Sequence, residues 1–260
     1  MPGFESFSLA VILWVAAVLA FAGMVHGALG LGFPIVATPL IALATDMRSA
    51  IILVLLPCIA VIIASIIKGH GLRAVLAEFW PMPVYMFIGA SIGTRLFIAY
   101  PAAPFALLLA IVVIIYLNLD RLGKTEWPLI KQRRRWFAAV FGLIAGVSEG
   151  TANAAAPPLV IYYMALALSP TALVQALNIC FITGKTTQFA ILATAGGITA
   201  AQWLVTLPLA VVSAITLLWG VRIRSNVDAA IYRGWLKRAL LAIAVILIAQ
   251  YGYATWHGWQ

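Results

Sequence analysis

"AGVSEGTANAAAPPLVIYYMALA", residues 145–167, decides how this chain is read. It begins and ends apolar, yet its middle holds Glu149, Asn153, Gly150 and the adjacent prolines Pro157 and Pro158. A helix in an apolar setting has no use for a charge and two breakers unless the backbone is interrupted there for a purpose. The same pattern occurs earlier. Shifted by 123 positions, "AGMVHGALGLGFPIVATPLIALA" (22–44) falls on it, with Ala22, Gly23, Gly27, Pro34, Ala42, Leu43 and Ala44 matching identically. A capping residue follows each copy, Asp46 in one and Ser169 before Pro170 in the other. Trp80 and Trp203 also match at this shift.

Composition names the solvent. Of 260 residues, 65% are hydrophobic and 9% charged, where a soluble domain carries about 25% charged residues. Apolar segments run at about 8–28, 33–45, 47–68, 80–98 and 102–118, then at 136–149, 157–168, 170–195, 201–221 and 237–255. They are continuously apolar and do not alternate, which excludes a transmembrane β-barrel. The expectation is an all-α polytopic membrane protein. "AFA" at 20–22 mimics a signal-peptide cleavage site, but "MPGFES" (1–6) has no Lys or Arg. The first segment is therefore read as a retained membrane helix.

The net charge of +9 is distributed as a topology signal, not as a nucleic-acid surface. Loops at 68–78, 119–135 and 222–238 hold 13 of the 16 Lys and Arg residues. By the positive-inside rule these loops are cytoplasmic, so both termini lie outside, in the periplasm of a cell (inner) membrane. Tryptophans agree: Trp80, Trp127, Trp136 and Trp235 fall near the inner interface, Trp203, Trp256 and Trp259 near the outer one. Residues 1–119 form a first repeat, 120–135 a basic cytoplasmic linker and 136–260 a second repeat. The first starts outside and ends inside, and the second does the reverse, so the repeats are inverted.

Parity requires each pair of segments, 8–45 and 136–168, to cross the bilayer an even number of times. The run 136–149 would be about 21 Å long as a helix, against ~30 Å of hydrocarbon. Each pair is read as a broken or re-entrant hairpin followed by three membrane helices. The tips 26–34 and 149–157 are expected to meet near the midplane. Helices opening at Pro34 and Pro157 would present free N–H groups and positive dipole ends there, an anion site. Close helix packing through small residues is the competing explanation of the glycines and alanines.

Lys185 is the one Lys or Arg deep within an apolar segment, where a charge costs at least ~2.5 kcal/mol unless compensated. Gln175, Asn178, Lys185 and Gln188 share a broad helix face. That face is expected to line a path in which Lys185 meets a negative substrate, or else pairs structurally with Glu149. Glu149 and its repeat counterpart His26 are the candidates for carrying a coupling proton, with packing alone the other reading of His26. Arg95 and Arg222, in "IGTRLF" and "WGVRIR", are expected to be interfacial anchors. Cys58 and Cys180 read as small hydrophobes that build neither a disulfide nor a metal site. No cofactor is implied.

Together these residues resemble the sulfite exporter TauE/SafE family of membrane transporters. The resemblance rests on "GALGLGFPIVATPL" (27–40) and "GLIAGVSEGTANAAAPPLV" (142–160), separated by a basic linker. In the second copy alanines and Asn153 stand where the family usually has glycines. The resemblance implies transport of small anions, often sulfite or organosulfonates, with binding positions at Gly30, Gly32 and Pro34 and at Asn153 and Pro157. It brings no catalytic residues. The expected partners are a small anion, the lipid bilayer and a coupling proton or cation. An enzyme is disfavoured because no nucleophile with an oriented base is present. A channel or scaffold is disfavoured because the interrupted repeats suit alternating access.

Overall fold

The computed structural model of the chain describes residues 7–100, 104–118 and 128–223 apart from 197 and 199, with isolated positions beyond 240. Eleven helices occur among the described residues, and no strand. In chain order they are α1 Leu9–Leu29, α2 Phe33–Ala42, α3 Met47–Lys68, α4 Leu72–Phe79, α5 Pro81–Ala99 and α6 Phe105–Leu117. Then come α7 Pro128–Gln132, α8 Arg134–Ala152, α9 Ala156–Ala165, α10 Pro170–Thr194 and α11 Ala200–Ile223. Within the described part, Leu9–Leu29, Met47–Lys68, Pro81–Ala99 and Leu204–Arg222 are long and apolar enough to cross a membrane. The chain is a multi-pass membrane protein. Most of the expected last segment 237–255, and Trp127, Trp235, Trp256 and Trp259, lie outside the described residues, as do the ends of the three proposed segments at 1, 119–120 and 260.

Local sequence sets the element ends. The Asp46 carboxylate accepts the Arg48 and Ser49 amides at 2.9 and 3.0 Å, and Ser169 accepts the Ala172 amide at 3.3 Å. These are the N-caps expected for α3 and α10. Pro34 and Pro157 both stand in the first turn of a ten-residue helix, where their missing N–H costs nothing. At the shift of 123, α2 superimposes on α9 end for end, and α3 and α10 begin at matching positions.

Packing follows the small residues. Gly146 and Gly150 of α8 face Met86, Gly89, Ala90, Gly93 and Thr94 of α5 so closely that an added Cβ would lie less than 3.0 Å from backbone. Gly23 and Gly27 of α1 meet Ser213, Leu217 and Val221 of α11 in the same way. The reciprocal contacts match too: Gly93 lies on Val147, and Gly220 on Met24. The apposed residues of α5 and α11 are related by a shift of 127 (Gly93 to Gly220), four more than the 123 that relates α1 to α8. Arg95 and Arg222 are related by this same shift. Both arginines are exposed.

Three expectations need correction. The segment 136–149 is the core of a 19-residue helix, 134–152, about 28 Å long. Each hairpin therefore pairs one long arm with one short arm. The loop 68–78 contains α4, and the linker contains α7 before α8 opens at Arg134. The tips 26–34 and 149–157 also do not meet at one point. An added Cβ on Gly30 would touch Val174, whereas the other tip reaches Lys185. Eleven residues of α10 separate these levels, about 16 Å.

Candidate functional site

The second tip is built by one left-handed residue. Asn153 ends α8 at φ 56°, with its N–H on the Glu149 carbonyl at 3.0 Å and the Ala154 N–H on the Ser148 carbonyl at 3.2 Å. The first of these bonds, reaching back four positions from a left-handed residue, is the αL type of helix stop. Gly30 closes α1 at φ 78° through its N–H to the His26 carbonyl. Asn is, after Gly, the residue most at ease in this conformation. The substitution at the second motif therefore preserves the turn and adds an amide to it.

That amide is used on both ends. Asn153 Oδ1 accepts from Lys185 Nζ at 2.6 Å, and Asn153 Nδ2 donates to Thr38 Oγ1 of α2 at 3.2 Å. Lys185 Nζ also donates to Gln188 Oε1 at 3.0 Å and stands 2.7 Å from Glu149 Oε1. Glu149 Oε2 accepts the Ala155 amide at 3.1 Å, at the point where α9 opens. Gln188 Nε2 donates to the carbonyls of Glu149 and Gly150, each at 3.3 Å. Lys185, Glu149, Asn153 and Gln188 are all fully buried. Gly184 makes room for the pair, since a Cβ there would fall 3.0 Å from Glu149 Cγ. Cys58 of α3 lies within electrostatic reach of both charges.

The physical content is a neutral cluster sealed inside the bundle. A lone buried charge costs several kcal/mol, and removing one partner of such a pair costs about 3–5 kcal/mol. The Glu149 carboxylate sits at the positive end of α9 and against an ammonium, two features that favour an anion. The ion pair between Lys185 and Glu149, one of the two readings of Lys185, is present in this structure.

Of the other expected site residues, Gly32 lies at the opening of α2 with φ 110°, Pro34 is buried in its first turn, and Pro157 is buried in the first turn of α9. Asn178 does not reach Lys185. Its Nδ2 donates to Ser65 Oγ of α3 at 2.9 Å, while Gln175 Nε2 donates to the Ile66 carbonyl at 3.4 Å. His26 is fully buried, and neither ring nitrogen has a hydrogen-bond partner. The polar face of α10 is thus divided between two clusters. Thr38, Ser65 and Gly184 escaped the sequence reading, because a Thr, Ser or Gly in an apolar helix carries no pattern of its own. Among the described residues no group of His, Cys, Asp and Glu could hold a metal ion.

Searches of curated proteins and of solved structures give no match. The sequence model of the family described as sulfite exporter TauE/SafE matches residues 15–251, nearly the whole chain, and includes both interrupted hairpins. With its buried charges and membrane-length helices, this chain belongs to the TauE/SafE sulfite exporter family, whose members are membrane transporters and not enzymes.

Proposed function

We propose that the protein is a secondary transporter that moves a small anion, a sulfur oxyanion or an organosulfonate, by alternating access between two inverted repeats in the cell membrane. The observation that carries this reading is the sealed Lys185–Glu149 pair at the end of an interrupted helix. Glu149 holds the place of the transported anion: one oxygen faces Lys185 and the other the opening of α9. Asn153 and Gln188 steady the ammonium. Pro157 keeps the α9 opening in place. Gly30, Gly32, Pro34 and Asn178 shape the first hairpin and the α3–α10 contact along the same route. An incoming anion takes over Lys185 and the α9 terminus only when Glu149 becomes neutral, because two negative groups cannot share that position. Protonation of Glu149 therefore accompanies anion binding, and a proton and an anion travel together. His26, at the equivalent position of the first repeat, is the second candidate for the proton.

The reciprocal glycine contacts of α1 with α11 and of α8 with α5 support the inverted-repeat reading. Each repeat places its first helix against the other repeat, so rocking along these two seams would open the site to each side in turn. The test is uptake of radiolabelled sulfite and methanesulfonate into proteoliposomes. Saturable, counter-exchanging uptake that Lys185→Gln reduces at least about tenfold is expected, roughly the loss of one charge-assisted bond. Uptake linear in concentration would point to a channel, and none at all to a scaffold. In Glu149→Gln, uptake is expected to persist but to stop responding to a pH gradient. Retained dependence removes Glu149 from coupling.

A further inference from the structure

We infer that the protein has a second anion site, in a cavity 16 Å along α10 from Lys185 by helix rise, at the end of the bundle that carries the basic loops. This deepens the transporter reading and rests on it. The cavity, about 220 Å³, is lined by the last turn of α1, the end of α3, the first turns of α10, and Val221 of α11. It is roomy enough for a small oxyanion with water, since one water needs only about 10–15 Å³ of such space.

Charge selects the ligand. Lys68, His70 and His26 line the cavity, and among the described residues no carboxylate does. Thr171 adds a hydroxyl in the first turn of α10, the end of that helix that carries its positive dipole. The ends of α1 and α3 also lie here, and free carbonyls would repel an anion. Three of them are engaged: the His26 carbonyl by the Gly30 amide, the Ser65 carbonyl by the Gly69 amide, and the Ile66 carbonyl by Gly69 and Gln175. Lys68, His70 and Thr171 are exposed at the mouth, while His26 and Gln175 form the buried floor.

The floor is what demands an occupant. His26 is fully buried with both ring nitrogens unpartnered. Asn178 is near enough to influence it, yet no aligned hydrogen bond joins the two. A buried polar group without a partner costs about 1–3 kcal/mol, so one in a wet, basic cavity reads as a ligand position. The imidazole N–H is a donor, as are the Lys68 ammonium and the Thr171 hydroxyl. An oxyanion here would occupy the basic end of the route while the Lys185 cluster stays closed by Glu149.

Equilibrium dialysis of the purified full-length chain against radiolabelled inorganic sulfate tests this. Saturable binding is expected, weakened about tenfold in Lys68→Gln and in His26→Gln, each the loss of one polar contact. It should stay within about twofold in Lys131→Gln, an exposed position on α7 that does not line the cavity. Lys68 is exposed, so that variant decides the matter if His26→Gln fails to fold. Two results overturn the inference: no saturable binding, or binding lost in Lys185→Gln and untouched by the cavity variants. The second leaves the transporter reading standing, since that reading is judged by uptake and not by dialysis.

Discussion

Asn153 shows what one side chain contributes at the tip. Its backbone needs the left-handed region, and its amide ties α10 to α2 through Lys185 and Thr38. Two substitutions separate these roles. Asn153→Gly keeps the turn and loses the amide, so thermal melting should change little while anion uptake falls. Asn153→Ala loses both and adds left-handed strain of about 1–2 kcal/mol, so it should melt below Asn153→Gly. Equal melting points would mean that the turn is not strained. The buried pair gives a second contrast. Lys185→Met alone strands Glu149 and should cost about 3–5 kcal/mol, whereas Lys185→Met with Glu149→Leu should recover most of that, as apolar replacements of buried pairs do. A double-mutant cycle on melting temperature measures the difference, and additive losses would show that the pair is not coupled.

Helices meet here by backbone, and glycine decides how near. A Cβ on Gly150 would run into Ala90, Gly93 and Thr94, and one on Gly27 into Leu217 and Val221. Gly150→Val and Gly27→Val should each destabilise by about 1–3 kcal/mol, the usual effect of overpacking. Gly71→Ala meets no neighbour within 4 Å and pays only for its φ of 80°. Melting curves of the three check this, and a Gly71→Ala loss matching the other two would argue against tight seams. The small-residue pattern was thus readable as packing at Gly23, Gly27, Gly146 and Gly150, and as chain reversal at Gly30. Sequence alone could not divide them, because a packing glycine and a left-handed glycine look alike until the helix end is known. The length of α8 was hidden for a related reason: Arg134 and Arg135 look like linker although they already belong to the helix. Lys185 and Glu149 were visible as isolated charges in apolar runs. Thr38, the partner of Asn153, was not, nor was the split of the α10 polar face between two levels, since helical spacing reports direction around an axis and not which neighbour stands at each height.

At the scale of the whole molecule, the charges sort to the two ends of the bundle. Arg48 lies 5.6 Å from the ring of Phe97, joining the start of α3 to the end of α5. At the opposite end Arg134 bonds Glu78 at 3.1 Å and covers Phe79, with Trp80 and Trp136 exposed beside it. Lys68 belongs to this second end, because α4 links it directly to Glu78 and α5. Arg133, Arg134, Arg135 and Lys68 thus collect where Trp side chains would sit at a headgroup boundary, and the proposal places this end on the cytoplasmic side, which anionic lipid and the insertion bias for Lys and Arg favour. In the proposed topology the repeats enter the membrane in opposite senses. Single cysteines make this measurable, because native Cys58 and Cys180 are buried. In right-side-out vesicles a membrane-impermeant thiol reagent should label Asp46→Cys, and should label Lys68→Cys and Arg135→Cys only after the membrane is opened. If all three react from one face, α3 does not cross, the basic cavity does not face the cytoplasm, and the two hairpins cannot be oppositely inserted halves of one transport route.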